Sequence, residues 1–133
     1  MITVGRYMTR GPHTIGREQP LAAARQSMRQ NKVRHLPVLH GGELVGVLSD
    51  RELEMLEAMP GSSQLTVEDA MVPDTYVTGE DAPLAKVATE LARLKLGSAI
   101  VVKGSEVVGM FTAVDALRAL ADALGTESRP ASA

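Results

Sequence analysis

The chain contains no cysteine and no tryptophan, and only three aromatic side chains (two tyrosines and one phenylalanine) among 133 residues. Without cysteine there is no disulfide, no thiolate nucleophile and no cysteine-based zinc site, a composition that suits the reducing cytoplasm. With so few aromatics the interior must be built from aliphatic side chains, alanine and methionine, of which there are seven. No apolar run approaches the roughly 18 residues of a membrane span. The first residues lack a basic stretch followed by an apolar one, so no signal peptide is expected. Fourteen Lys and Arg stand against 16 Asp and Glu, a net charge of −2. Such a chain, with no basic cluster, is poorly suited to nucleic acid, where neutralising phosphate supplies most of the affinity. What is present is ordinary for a globular protein: 44% of residues are hydrophobic and 23% charged.

The informative feature is internal. Displaced by 63 positions, residues 3–58 align with 66–121 without a gap, and 14 of the 56 positions are identical. Punctuation is kept: Gly16/Gly79, Pro20/Pro83, Gly41/Gly104 and Gly46/Gly109 all match, as do Lys32/Lys95 and Val38/Val101. An ungapped register over that length marks a duplicated structural unit.

Each copy reads the same way. Short extended pieces at Thr14-Ile15 and Val77-Thr78 precede Pro20 and Pro83, which are expected at the first helical position. Leu84, Val87, Ala88 and Leu91 then recur on one helix face, and Leu21, Ala24 and Met28 do so more weakly. Strands are expected at Leu36–Leu39 and Ala99–Val102, glycine turns at 40–42 and 103–105, and return strands at Glu43–Leu48 and Glu106–Phe111. Ser49 and Thr112 open a second helix. The unit is β-α-β-β-α, twice, an α/β chain with mixed α+β sheets. Strand pairs this apolar need cover on both faces, so the copies are expected to pack sheet to sheet about a pseudo-twofold axis. Residues 1–60 and 64–124 form the two repeats of one cooperative module, joined at Pro60–Ser63. The polar stretch 125–133 is expected to be a flexible tail.

At this point the sequence resembles the cystathionine β-synthase (CBS) domain family. Arg34-His35-Leu36-Pro37-Val38, a glycine turn, and Leu44-Val45-Gly46-Val47-Leu48-Ser49-Asp50-Arg51-Glu52-Leu53 carry the likeness in copy one. Gly97 to Val102 and Val108 to Asp115 carry it in copy two, and Tyr7-Met8-Thr9 and Ala70-Met71-Val72-Pro73 match the leader before each domain. The likeness runs over about residues 3–124. It implies a stand-alone tandem pair, or Bateman module. Such pairs bind AMP, ADP, ATP or S-adenosylmethionine as regulatory ligands between the repeats and require no cofactor. They dimerise and signal to a partner enzyme, channel or transporter without catalysis of their own. It also implies that a Ser/Thr-x-x-Asp motif at the strand-to-helix junction contacts ribose and phosphate. The start of the middle strand and the segment before the first helix help hold phosphate and base.

Carried onto this chain, the ligand-binding candidates are Thr112, Asp115, Thr14, Ile15, Arg34, His35, Ser49, Glu52 and Ser98. The simpler reading of Ser49-x-x-Glu52 and Thr112-x-x-Asp115 is a capping box at a helix start. The two readings are compatible, since a helix N-terminus offers free N–H groups to a phosphate and a carboxylate can accept from two ribose hydroxyls. Asp115 matches the family acid, whereas Glu52 is one methylene longer. The basic Arg34-His35 pair has Gly97-Ser98 as its counterpart in the other copy, so neither copy holds a full set alone. The favoured site combines Thr112 and Asp115 with Thr14, Ile15 and Arg34; the site of Ser49, Glu52, Arg34 and His35 ranks lower. His13, His35 and His40 lack the spacing of a metal motif, and Met55, Met59, Met71 and Met110 are expected to fill the core.

The last helix, from Ala113, is apolar nearly all round: Val114, Leu117, Ala121 and Leu124 on one face, Ala113, Ala116, Leu120 and Ala123 on another. One side can meet its own domain; the rest calls for a second copy of the chain. The expected function is therefore a regulatory adenosine-nucleotide sensor, a homodimer acting on an unidentified effector protein. The rival reading is a ligand-free structural or dimerisation module. No nucleophile–base pair, Walker-type loop or metal-ligand spacing argues for an enzyme.

Overall fold

The computed structural model describes residues 1–128. Copy one holds β2 (Ile15–Gly16), α2 (Leu21–Asn31), β3 (His35–His40), β4 (Glu43–Ser49) and α3 (Asp50–Glu57). Copy two repeats it as β5 (Val77–Thr78), α5 (Leu84–Leu94), β6 (Ser98–Lys103), β7 (Glu106–Thr112) and α6 (Ala113–Ser128). Short leader helices, α1 (Val4–Tyr7) and α4 (Val67–Ala70), precede each copy, α1 followed by a strand, β1 (Thr9–Arg10). A 3₁₀ turn, Ser62–Gln64, lies at the join.

The expected unit is present twice. In each copy the short first strand runs parallel to the middle strand, which pairs antiparallel with the return strand. The positive φ of Gly41, Gly42 and Gly104 makes the hairpin turns. The two small cores are matched in volume rather than in residue. Leu36 faces Leu48 across the first hairpin, and Ala99 faces Phe111 across the second, all four fully or almost fully buried. A small-for-large exchange on one strand balances a large-for-small exchange on its neighbour. The buried residues of α2 are Leu21, Ala24 and Met28, as its periodicity predicts.

The leaders are exchanged between copies. Val4 donates its N–H to Ala82 O and Gly5 to Glu80 O, both at 2.9 Å. Sixty-three residues on, Val67 donates to Gln19 O (2.8 Å) and Glu68 to Arg17 O (2.9 Å). Val4 and Met8 thus join the core of copy two, while Val67 and Ala70 join that of copy one. The crossing continues at the sheet edges: β1 pairs with β7, and Val72 pairs with Val47 of β4. Gly46 and Gly109 make room for it. A Cβ on Gly46 would lie 2.7 Å from Val72 O, and one on Gly109 2.6 Å from Met8 Sδ. The two copies therefore meet about a pseudo-twofold axis, with β4 and β7 in contact at the seam.

Several expectations change. Pro20 and Pro83 are N-caps, one residue before the first helical position, where an extended ψ suits them. The final helix runs on through Ser128, so 125–128 are helical rather than a tail; Arg129–Ala133 lie outside the described residues. Met55 and Met59 are exposed rather than core filler, Met55 on the outward face of α3 and Met59 in the bend that follows it; Met110 is buried and Met71 packs against the first core. On α6, Val114, Leu117, Leu120 and Leu124 are all more than half exposed. The helix is not tucked into its own chain; Ala119, Asp115 and Ala116 form its inner face. No helix among the described residues is long and apolar enough to cross a membrane.

Candidate functional site

Because each strand-to-helix junction opens beside the other copy's leader, two clefts form at the seam. The larger, about 620 Å³, is bordered by Thr9–His13 of the first leader, by Lys32–His35, and by Thr112, Asp115 and Arg118. The smaller, about 430 Å³, is bordered by the corresponding parts: Val72 and Asp74–Tyr76, Lys95–Ser98, and Ser49–Glu52. Both volumes fall in the range of small-molecule sites.

The Thr-x-x-Asp motif in the larger cleft is a closed capping box. Asp115 Oδ2 accepts from the Thr112 N–H (2.8 Å) and hydroxyl (3.2 Å), while the Asp115 N–H donates to Thr112 Oγ1 (3.3 Å). Its other oxygen, Oδ1, accepts from Arg118, one turn on. The carboxylate is only 2% exposed, held by its own helix start and aimed at the cleft. The Ser49 motif caps α3 in the same way: Glu52 Oε1 accepts from the Ser49 N–H (3.1 Å) and hydroxyl (2.5 Å). The longer glutamate reaches the cap with the same oxygen for both bonds.

The electrostatics of the clefts differ. The larger is bordered by Arg10, Lys32, Arg34 and Arg118 against the single carboxylate of Asp115. Arg10 pairs with Glu80 at 3.1 Å and Arg118 with Asp115, whereas Lys32 and Arg34 make no ion pair among the described residues. The smaller brings Arg34, Arg51 and Lys95 among Asp50, Glu52, Glu54 and Asp74. Asp50 is engaged from outside by Arg25 at 2.6 Å. His35 lies between the clefts; burial, aided by neighbouring Arg34, holds its pKa below the usual 6.5 against the pull of Glu52 and Asp50.

The structure therefore brings Thr112, Asp115, Arg34 and His35 into one cleft, and Ser49, Glu52, Arg34, His35 and Ser98 into the other. Thr14 and Ile15 border neither. Thr14 is exposed, and Ile15 enters the first core because the parallel bridge to Val38 turns it inward. Their place on the wall is taken by Thr9–His13, a consequence of the leader exchange. Sequence reasoning also passed over Lys32 and Lys95. Both terminate their helices in the left-handed conformation, at φ 54° and 57°, one in each cleft. The signal was available: they are one of the few identical non-glycine, non-apolar pairs in the repeat.

The model of the CBS domain matches twice, at residues 4–55 and 67–122. The chain belongs to the CBS-domain family. It is a tandem pair with the fold the duplicated pattern predicts. Inosine-5′-monophosphate dehydrogenase of Korarchaeum cryptofilum is 30% identical over 110 residues, covering 82% of this chain and 22% of that protein. The chain thus spans about a fifth of that relative's length. Among solved structures, CBSX2 in complex with AMP is 26% identical with a TM-score of 0.80, covering 92% of this chain and 98% of that one. The CBS domain pair of protein MJ0100, in complex with 5′-methylthioadenosine and S-adenosyl-L-methionine, is 22% identical. It has a TM-score of 0.85, covers 92% of this chain and 98% of that one, and shows the fold alone.

Proposed function

We propose that this CBS pair is a regulatory sensor of an adenosine nucleotide (AMP, ADP or ATP) or S-adenosylmethionine, without catalysis of its own. The observation that carries this reading is the gathering of Thr112, Asp115, Lys32 and Arg34 in one cleft of about 620 Å³. The buried Asp115 suits a ribose diol, whose hydroxyls would replace Arg118 on Oδ1. Lys32 and Arg34, beside the positive end of the α6 dipole, suit phosphate. The solved complex of CBSX2 with AMP supports the ligand class.

A ligand in this cleft would touch the first leader, copy one and α6 together. The same leader reaches α6 directly, where the Tyr7 hydroxyl donates to Asp122 Oδ2 at 2.6 Å. Closing on a ligand would therefore move α6, whose exposed apolar face we assign to a second copy of the chain. Transmission to an effector protein requires different ligand affinity in the two arrangements. Cysteine-free composition fits a cytoplasmic setting.

Thermal unfolding with AMP, ATP and S-adenosylmethionine tests the reading. A ligand at one hundred times its Kd adds about 2.7 kcal/mol. Saturable stabilisation by one of them, lost in Asp115→Ala, is expected; no shift at millimolar ligand overturns it. The rival, a ligand-free dimerisation module, is favoured by one observation: both oxygens of Asp115 already have partners.

A further inference from the structure

The two clefts share one arginine. Arg34 borders both, and so does His35. Their counterparts across the pseudo-twofold axis are Gly97 and Ser98, which bring no cation. The space is also taken: a Cβ on Gly97 would stand 3.0 Å from His35 Nε2. A guanidinium is a rigid fork that grips one phosphate in bidentate fashion.

The consequences of losing it are unequal. In the larger cleft Lys32 remains, facing no carboxylate except Asp115, which is already held by Arg118. In the smaller, Lys95 and Arg51 remain among three carboxylates, Glu52, Glu54 and Asp74, besides Asp50, which Arg25 already holds. A phosphate there depends on Arg34; an uncharged nucleoside does not.

We propose that the two clefts compete for Arg34, so that the chain holds one phosphate-bearing nucleoside tightly, in the Thr112 cleft, while the Ser49 cleft takes a nucleoside without phosphate. The proposal rests on the nucleoside reading above and adds a rule for stoichiometry and ligand charge.

Titration calorimetry of the full chain with AMP and with adenosine tests it. Hydrogen bonds to charged groups correspond to roughly tenfold or more in affinity. The expected result is one tight AMP site per chain and a second about tenfold weaker, with adenosine showing no coupling between sites. Asp115→Ala should remove the tight site and strengthen the remaining one about tenfold, as Arg34 is released. Lys32→Gly, which borders only the larger cleft and suits its left-handed backbone, makes the same test should loss of the cap unfold Asp115→Ala. Arg34→Ala should weaken the tight site and, combined with Lys32→Gly, abolish the gain in the other. Two equivalent AMP sites in the unaltered chain, or a weak site unchanged in both Asp115→Ala and Lys32→Gly, overturns the sharing. Failure of AMP and adenosine alike to bind overturns instead the reading of the clefts, and the sharing with it.

Discussion

In copy one, the Arg25 guanidinium joins α2 to α3, donating to Glu57 at 2.8 and 3.1 Å and to Asp50 at 2.6 Å. These two carboxylates hold Arg25 well above its ordinary pKa. At the corresponding places copy two has Ala88, Leu120 and Ala113. The outer face follows suit: Arg51, Glu54 and Glu57 on α3 become Val114, Leu117 and Leu120 on α6. The same interior plan thus tolerates a charged clamp in one copy and an apolar helix pair in the other. The copies keep the apolar character of their cores and differ where they face outward, and those differences set the charge of each cleft and the stickiness of each helix.

Exchanging residues between the copies tests that division. The largest effect is expected where the leaders cross. Gly46→Ala would press on a backbone oxygen, Val72 O, whereas Gly109→Ala first meets the flexible Met8 side chain. We expect a loss of about 3 kcal/mol for the first and about 1 kcal/mol for the second, read by denaturant unfolding. Equal losses would mean that the two crossings are equally pliable. A smaller effect is expected from Leu117→Glu, which gives α6 the residue that α3 carries at this position, Glu54. If a second copy covers α6, sedimentation should show the dimer weakened by about 2 kcal/mol, the worth of a buried leucine, with the monomer's stability little changed. The smallest is His35→Ser, which copies Ser98. Because burial lowers the folded-state pKa of His35 below 6.5, the unfolded chain takes the proton first. Its contribution is complete above pH 6.5 and declines as pH falls below that value, levelling at the lower folded pKa. The variant should flatten that decline, as followed by unfolding between pH 5 and 8.

The fold was legible because the 63-residue register multiplies every local signal by two, and glycine and proline kept their places. The motif residues were legible as types. What the sequence did not disclose was the leader exchange, since a hydrogen bond between Val4 and Ala82 leaves no local pattern. That one omission misplaced the wall of the cleft, assigning it to Thr14 and Ile15 instead of Thr9–His13. In retrospect Gly46 and Gly109 announce it: a glycine centred in an apolar strand marks a close backbone approach. The end of α6 was hidden for another reason. Gly125, Thr126 and Ser128 have weak helix propensity, yet the helix continues through them.

The exchanged leaders also bear on biosynthesis. A growing chain can finish the first unit once Val72 has emerged, but Thr9 and Arg10 find Met110 and Gly109 only about one hundred residues after they themselves are made. The first leader is thus among the last segments to settle, and until it does the exposed edge of β7 and the unfilled second core are open to strangers.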